Sequence, residues 1–431
     1  MANPSKNNIA YVRTTMLTEQ APPITAAGPV LWIRTNLFSG PFNTIATLVG
    51  LYCVYWLVGH IGPWFLYSVW NANSLAECRE ILNGVNAACF GVIKDRWHQL
   101  LFGFYPPEAY WRPTLAFVLM IVAMAPILFE SVPRKVLWFS AIFPALAFWL
   151  LWGGTIWFSV VGMLGFGIGY AVYRALVKNM LLATIAAVLV PILFWLFLLG
   201  PISGALSEAL PIGIRKIDSD EFGGFMISII IGVTGIALSL PIGVLLALGR
   251  KSDLLLVKWI CVGFIEFIRG VPLITLLFTA SLLLNYFLPP GTNFDIVLRV
   301  VIMVTLFAAA YMAEVIRGGL AALPQGQYEA ADALGLDYWK AHRLIIMPQA
   351  LKISIPGIVN TFIGLFKDTT LVVFIGILDP IGLSNAIRAD SNWNGIYWEL
   401  FGFIALCFFI FCFSMSRYSQ YLENKLKTDH R

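Results

Sequence analysis

Not one Gly-Lys dipeptide occurs in the 431 residues of this chain, so the phosphate loop G-x-x-x-x-G-K-[ST] is absent and no nucleotide can be cradled that way. No H-E-x-x-H, no nucleophile elbow and no Cys/His spacing suited to zinc occurs either, which argues against covalent chemistry or a resident metal. Histidine is scarce, and His60, His98, His342 and His430 lie far apart, as interfacial or solvated side chains would. Charge is scarce too. Charged residues make up 12% of the chain against 59% hydrophobic residues, and the mean hydropathy is +0.81, so no soluble core could absorb the apolar runs. The first residues lack the apolar core of a signal peptide and carry Lys6, Arg13 and Arg34, so an uncleaved cytoplasmic N-terminus is expected.

What the chain does contain is apolar segments of span length. They fall near 43–65, 113–130, 136–152, 154–173, 180–200, 222–248, 258–288, 295–316, 353–376 and 395–415. The expected fold is all-α, a polytopic helical membrane protein of about ten spans. The two short segments flanking Gly153 and Gly154 leave a second option, one bent or re-entrant element. With the N-terminus inside, 18 of the 28 Lys and Arg fall on inner connections and 7 on outer ones, while Arg269, Arg299 and Lys367 lie within spans. The positive-inside rule then places both termini of this multi-pass membrane protein in the cytoplasm. The net charge of +5 is scattered over connections, which fits attraction to the inner leaflet and membrane lipid and predicts no nucleic-acid partner.

An acidic stretch, Asp218, Asp220 and Glu221, divides the chain. The expected parts are a cytoplasmic segment 1–42, an N-terminal transmembrane region 43–217 with an outer loop 71–112, a five-span core 218–416, and a cytoplasmic tail 417–431. Cys53, Cys261, Cys407 and Cys412 fall in spans and read as apolar filler. Cys78 and Cys89 fall in the outer loop, facing an oxidising compartment; they are a disulfide candidate, the alternative being two buried free thiols.

The most informative stretch is polar. Residues 317–352 form a charged insert between two apolar segments, and within it Glu329-Ala330-Ala331 is followed by Gly335 and then by Ile345-Ile346-Met347-Pro348. Pro324 should open a short helix, with Ala330, Ala331, Ala333 and Leu334 giving it a small-residue face and Gly335 a left-handed stop. Asp337 should cap a second short helix, which Pro348 should break. This spacing resembles the EAA loop of ABC-importer permeases, the element by which such a subunit sits in a cleft of its ATPase partner. The resemblance implies an ATPase-coupling role for Glu329, Ala330, Ala331, Gly335 and Pro348.

From 221 onward the chain is similar to the polar-amino-acid permease family of ABC importers. The matching stretches are IALSLPIGVLLALGR at 236–250, FIEFIRGVPL at 264–273, AYMAEVIRGG at 310–319 and LFKDTTL at 365–371. Met347 stands where that family usually has Leu, and Thr370 where Ser is common. The aromatic front half, with FGFYPPEAYWR at 102–112, looks like the larger permease of broad-specificity L-amino-acid importers of Gram-negative bacteria. The resemblance implies cytoplasmic ATPase subunits that hold ATP and Mg, a homologous second permease subunit, and a periplasmic amino-acid-binding protein. No cofactor is expected on this chain itself, which is a transporter subunit rather than an enzyme.

Ionisable residues within spans are costly and therefore informative. Glu266 and Arg269 lie three apart on one helical face and can pair with each other or with partner loops, and Glu314 and Arg317 form a similar pair. Arg299 is expected to snorkel to the outer interface. Lys367 and Asp368, followed by Thr369 and Thr370, offer complementary groups to the carboxylate and ammonium of an amino acid. With Glu266 they form the candidate substrate pathway; a structural ion pair is the competing reading. An ion-gradient-driven secondary amino-acid transporter or channel is the alternative function, using Asp368, Glu266 and Lys367 as ion sites.

Overall fold

The structure is a computed structural model and describes residues 28–283 and 295–426. Most of the expected N-terminal segment, the end of the 258–288 span and the last residues of the tail lie outside the described residues. The protein is an all-α polytopic membrane protein. In chain order it contains α1 (Gly28–Asn36), α2 (Pro41–Leu66), α3 (Leu75–Leu82), α4 (Gly91–Phe102), α5 (Trp111–Leu128) and α6 (Leu137–Trp152). Then follow α7 (Ile156–Ala175), α8 (Met180–Phe197), α9 (Leu199–Ala209), α10 (Gly224–Arg250), α11 (Leu255–Gly270) and α12 (Leu273–Phe278). The last are α13 (Ile296–Ala321), α14 (Gln325–Ala333), α15 (Tyr338–Ala341), α16 (Met347–Asp368), α17 (Pro380–Ala389) and α18 (Trp398–Leu426).

Eight described helices are long and apolar enough to cross a membrane, and two bent pairs make ten if each pair is one span. Gly153 (φ +73°) and Gly154 (φ +79°) separate two helical segments, Arg134–Trp152 and Ile156–Ala175, each long and apolar enough to cross a membrane. The bends fall elsewhere. The segment expected as one span over 258–288 turns by 104° between α11 and α12, where the Val271-Pro272 step ends α11. Proline disfavours helical backbone in the residue before it, and Val271 is extended, at φ −111° and ψ 133°. A 53° turn at Leu198 likewise separates α8 from α9.

Two compact units form: the described part of Met1–Val69 with Leu82–Ala88, and Trp70–Ile81 with the described part of Cys89–Arg431. In the first, α2 has no buried residue. In the second, α10, α13 and α16 pack through small residues, as association in lipid favours because lipid tails supply no hydrophobic drive between helices. An added Cβ at Gly243 would lie 2.7 Å from Met312, and one at Gly357 would lie 2.7 Å from Val315. One buried cluster joins Tyr105, Leu150 and Leu151 to Ile217, Val300 and Val372, so residues on both sides of position 218 share a core. Polar ties reinforce it: Tyr105 donates to the Leu151 carbonyl at 2.9 Å, and the buried Arg112 donates to the Arg215 carbonyl at 2.8 Å. Arg299 also turns inward, donating to the Ser281 carbonyl at 2.7 Å and only 8% exposed, instead of snorkelling outward.

Candidate functional site

The polar insert begins where α13 ends. Pro324, extended, is the N-cap of α14, and Gly335 closes the helix at φ +67°. Two hydrogen bonds complete the stop: the Gly335 N–H donates to Asp332 at 2.9 Å and the Leu336 N–H to Ala331 at 3.2 Å. This is the Schellman pattern, in which a left-handed residue lets the chain reverse while satisfying the last carbonyls of the helix. The Asp337 carboxylate then accepts from the Lys340 N–H at 2.8 Å, which caps α15.

Two details differ from the sequence reading. Pro348 does not break the second helix. A π turn over His342–Ile346, in which the Met347 N–H reaches back to His342, widens the helix just before the ring, and α15 runs on into α16. The widening relieves the clash with the carbonyl four residues back by which proline normally ends a helix. Second, the small residues do not share one face: Ala331 is buried, whereas Ala330, Ala333 and Leu334 are exposed. Glu329 lies in the middle of α14, beyond its first turn.

The insert is fastened from within. Gln349 donates to the Gln327 side chain at 3.0 Å, and Ile346, Ala350 and Leu323 join Met312 and Ile316 in one buried cluster. Its outer face carries apolar side chains that stay largely exposed among the described residues: Leu334 is 72% exposed, Leu344 64% and Trp339 56%. Individual exposure of this kind was legible only in the fold, because periodicity alone assigns such residues to a core.

Beside the insert, charges from three helices converge. Arg250, the last residue of α10, donates to Glu266 of α11 at 2.9 Å and to Glu314 of α13 at 3.3 Å. Arg317 donates to Glu314 at 2.6 Å, and Arg269 lies 3.8 Å from Glu314 and over the Tyr311 ring. The Glu314–Arg317 pair was expected. Glu266 and Arg269 are not paired with each other; the crossing of α10, α11 and α13 gives each a partner closer than its neighbour on the same helix. Glu314 thus balances three guanidinium groups.

Lys367 and Asp368 end α16 and form no ion pair with each other, since successive residues on a helix project about 100° apart. Lys367 is exposed and Asp368 half-buried. The Thr369 hydroxyl is buried and donates to the Phe366 carbonyl at 2.8 Å, while Thr370 donates to the Lys367 carbonyl at 2.9 Å. Glu266 is not brought to this patch. An added Cβ at Gly232 of α10 would meet Phe366 and Thr369, whereas Glu266 meets Arg250 at the other end of that helix. At 1.5 Å per residue those positions on α10 lie about 27 Å apart.

At the opposite end of the second unit, Cys78 and Cys89 are joined in a disulfide with Cα atoms 6.2 Å apart. Trp393 donates to Asp95 at 2.8 Å and Arg96 to Asp390 at 3.1 Å, which ties α4 to the loop before α18.

Residues 239–428 match the family described as binding-protein-dependent transport system inner membrane component. The chain is 59% identical to the glutamate/glutamine/aspartate/asparagine transport system permease protein BztC of Rhodobacter capsulatus, over 99% of this chain and 100% of that protein. It is 37% identical to the inner membrane amino-acid ABC transporter permease protein YhdY of Escherichia coli, over 93% of each. A shorter relative, the probable glutamine ABC transporter permease protein GlnP of Bacillus subtilis, is 31% identical over 46% of this chain and 90% of its own length.

Proposed function

The chain belongs to the family of binding-protein-dependent transport system inner membrane components, and from that premise we propose that it is the permease of an ATP-driven importer carrying polar L-amino acids. The glutamate, glutamine, aspartate and asparagine named for its 59% identical relative are the proposed cargo. A periplasmic binding protein delivers it. ATP and Mg are held by cytoplasmic ATPase subunits, and a homologous second permease completes the pathway. In this reading both termini and the 324–348 insert lie in the cytoplasm.

The observation that carries the proposal is the exposed apolar face of the insert, continuous with a span. Leu334, Trp339 and Leu344 offer a partner the contacts they lack here, and Glu329, Ala330 and Gly335 shape the same element. From Tyr338 the helix runs through Pro348 to Asp368, a path of about 45 Å. A push at Trp339 therefore reaches Lys367, Asp368, Thr369 and Thr370 along one continuous helix, by way of the π turn at His342–Ile346 and of Pro356. Closure of the ATPase subunits on ATP shifts α14 and α15, and α16 carries the shift to the pathway. The Arg250–Glu266–Glu314 network holds the inner ends of α10, α11 and α13 together in this state, which gives Glu266 a latching role apart from substrate.

The test is reconstitution of the purified complex in sealed vesicles. Uptake of labelled glutamate should require both ATP and the binding protein and should survive a protonophore. Uptake that collapses with the protonophore and ignores ATP would overturn the proposal in favour of a gradient-driven carrier. The orientation is tested separately by a membrane-impermeant amine reagent on spheroplasts, which should spare Lys340.

A further inference from the structure

An open cleft lies along α7, α8 and α9, and none of its lining residues is assigned a part in transport above. It measures about 330 Å³ and is lined by Val161, Leu164, Ile168 and Ala171 of α7, Phe194 of α8 and Ile202 of α9. The α7 residues recur at helical spacing and form one stripe. Continued by three residues, the stripe reaches Arg174.

This cleft is held open. Gly165 and Gly169 seat α7 on α8, where an added Cβ at Gly169 would lie 2.8 Å from Pro191, and the Trp195 indole donates to the Gly162 carbonyl at 2.9 Å. The turn at Leu198 carries Ile202 away from the line of α8. Gly167, on the cleft itself, has no atom within 4 Å of where a side chain would begin. From Val161 to Ala171 the cleft runs about 15 Å along α7, the depth of one leaflet of a hydrocarbon core about 30 Å thick.

Toward the Arg174 end the charge has a single sign, because the one acid on a cleft helix, Glu208 of α9, lies toward the start of α7, where Trp157 donates to the Leu210 carbonyl at 2.8 Å. Residues 131–207 contain Arg134, Lys135, Arg174 and Lys178 and no Asp or Glu. Arg174 and Lys178 are exposed and make no hydrogen bond or ion pair among the described residues. An amino-acid substrate is a poor occupant, since this lining gives a carboxylate or ammonium nothing to bond.

The geometry points to a binding site for an anionic phospholipid, with one acyl chain in the α7–α8–α9 cleft and the phosphate headgroup on Arg174 and Lys178. Basic residues at the end of an apolar inter-helix groove are the chemistry that selects such a lipid over a zwitterionic one. The orientation proposed above makes this the inner leaflet, but the site requires only that α7 end at a bilayer surface.

Native mass spectrometry of the full chain purified in mild detergent, with phosphatidylglycerol or phosphatidylcholine added, tests the site. The chain should retain phosphatidylglycerol, and the double variant Arg174→Gln, Lys178→Gln should retain it roughly thirtyfold less well, near the level of phosphatidylcholine. Both side chains are exposed, so folding should survive, and an unchanged elution profile will verify that. Gly167→Phe should fill the cleft and lower retention of both lipids. Equal retention of the two lipids by the unaltered chain, or full retention of phosphatidylglycerol by the double variant, would overturn the headgroup site. Displacement of phosphatidylglycerol by soluble glycerophosphate, or full lipid retention in Gly167→Phe, would overturn the acyl cleft.

Discussion

The main-chain N–H of Cys89 donates to the carboxylate of Glu399 at 2.9 Å, across 310 residues of chain. Glu399 stands in the first turn of α18 and is only 8% exposed, so this bond ties the disulfide loop to the last span. Glu399→Ala leaves a buried donor unpaired, at about 1–3 kcal/mol. The Cys78–Cys89 bridge should then be reduced faster by a membrane-impermeant phosphine, and the purified chain should unfold at lower temperature. An unchanged reduction rate would mean that the disulfide holds the loop by itself.

Gly335 should be sensitive to backbone conformation alone. A side chain there would meet nothing within 4 Å, yet φ is +67°. Gly335→Val should cost on the order of 1–2 kcal/mol at the turn, so that stimulated ATP hydrolysis and amino-acid uptake fall together while membrane insertion persists. Gly335→Asn, which tolerates the left-handed region, should retain most of both. Equal loss in the two variants would show that surface shape matters more than conformation.

Trp339 is the probe of the docking face. Trp339→Ala removes a 56% exposed ring that packs edge-on against Tyr338, and should weaken co-purification of the ATPase several-fold without lowering the amount of this chain in the membrane. Undiminished recovery of the ATPase would place the docking face elsewhere.

Asp368 separates a pathway from a scaffold. No ion pair with Lys367 is lost when it is changed, so Asp368→Asn should lower uptake while the complex still assembles and hydrolyses ATP at its basal rate. Failure of the complex to accumulate would assign Asp368 to structure.

Asp379 carries a pH dependence of stability. Its side chain is fully buried at the N-cap of α17; one oxygen accepts from the Gly382 N–H at 2.8 Å, the other has no hydrogen-bond partner among the described residues, and burial raises the carboxyl from 3.8 to about 6. The folded chain therefore binds this proton more tightly than the unfolded chain does. Its contribution to stability is fully present below about pH 4 and is lost as pH rises through about 6. Asp379→Asn keeps the cap but cannot titrate. Across that window the difference in unfolding temperature between variant and parent should change in the variant's favour as pH rises, and a constant difference would refute the assignment.

Local patterns settled a definable part of this protein. Apolar runs specify helices because lipid requires every backbone group to bond within its own segment, and Gly335 and Asp337 specify a stop and a cap because such bonds join residues at most five positions apart. The motif spacing and the stretches around it pointed to an importer permease for the same reason: they lie within contiguous sequence. The helix crossings decided the rest. They turned Glu266 toward Arg250, drew three arginines onto Glu314 and brought Glu399 to Cys89. The π turn at His342–Ile346 carried the helix past Pro348, and packing buried Ala331 while leaving Ala330 and Leu334 outside. Periodicity names which side chains share a face, but which face meets which neighbour depends on how separate helices cross, and one sequence read alone does not contain that angle.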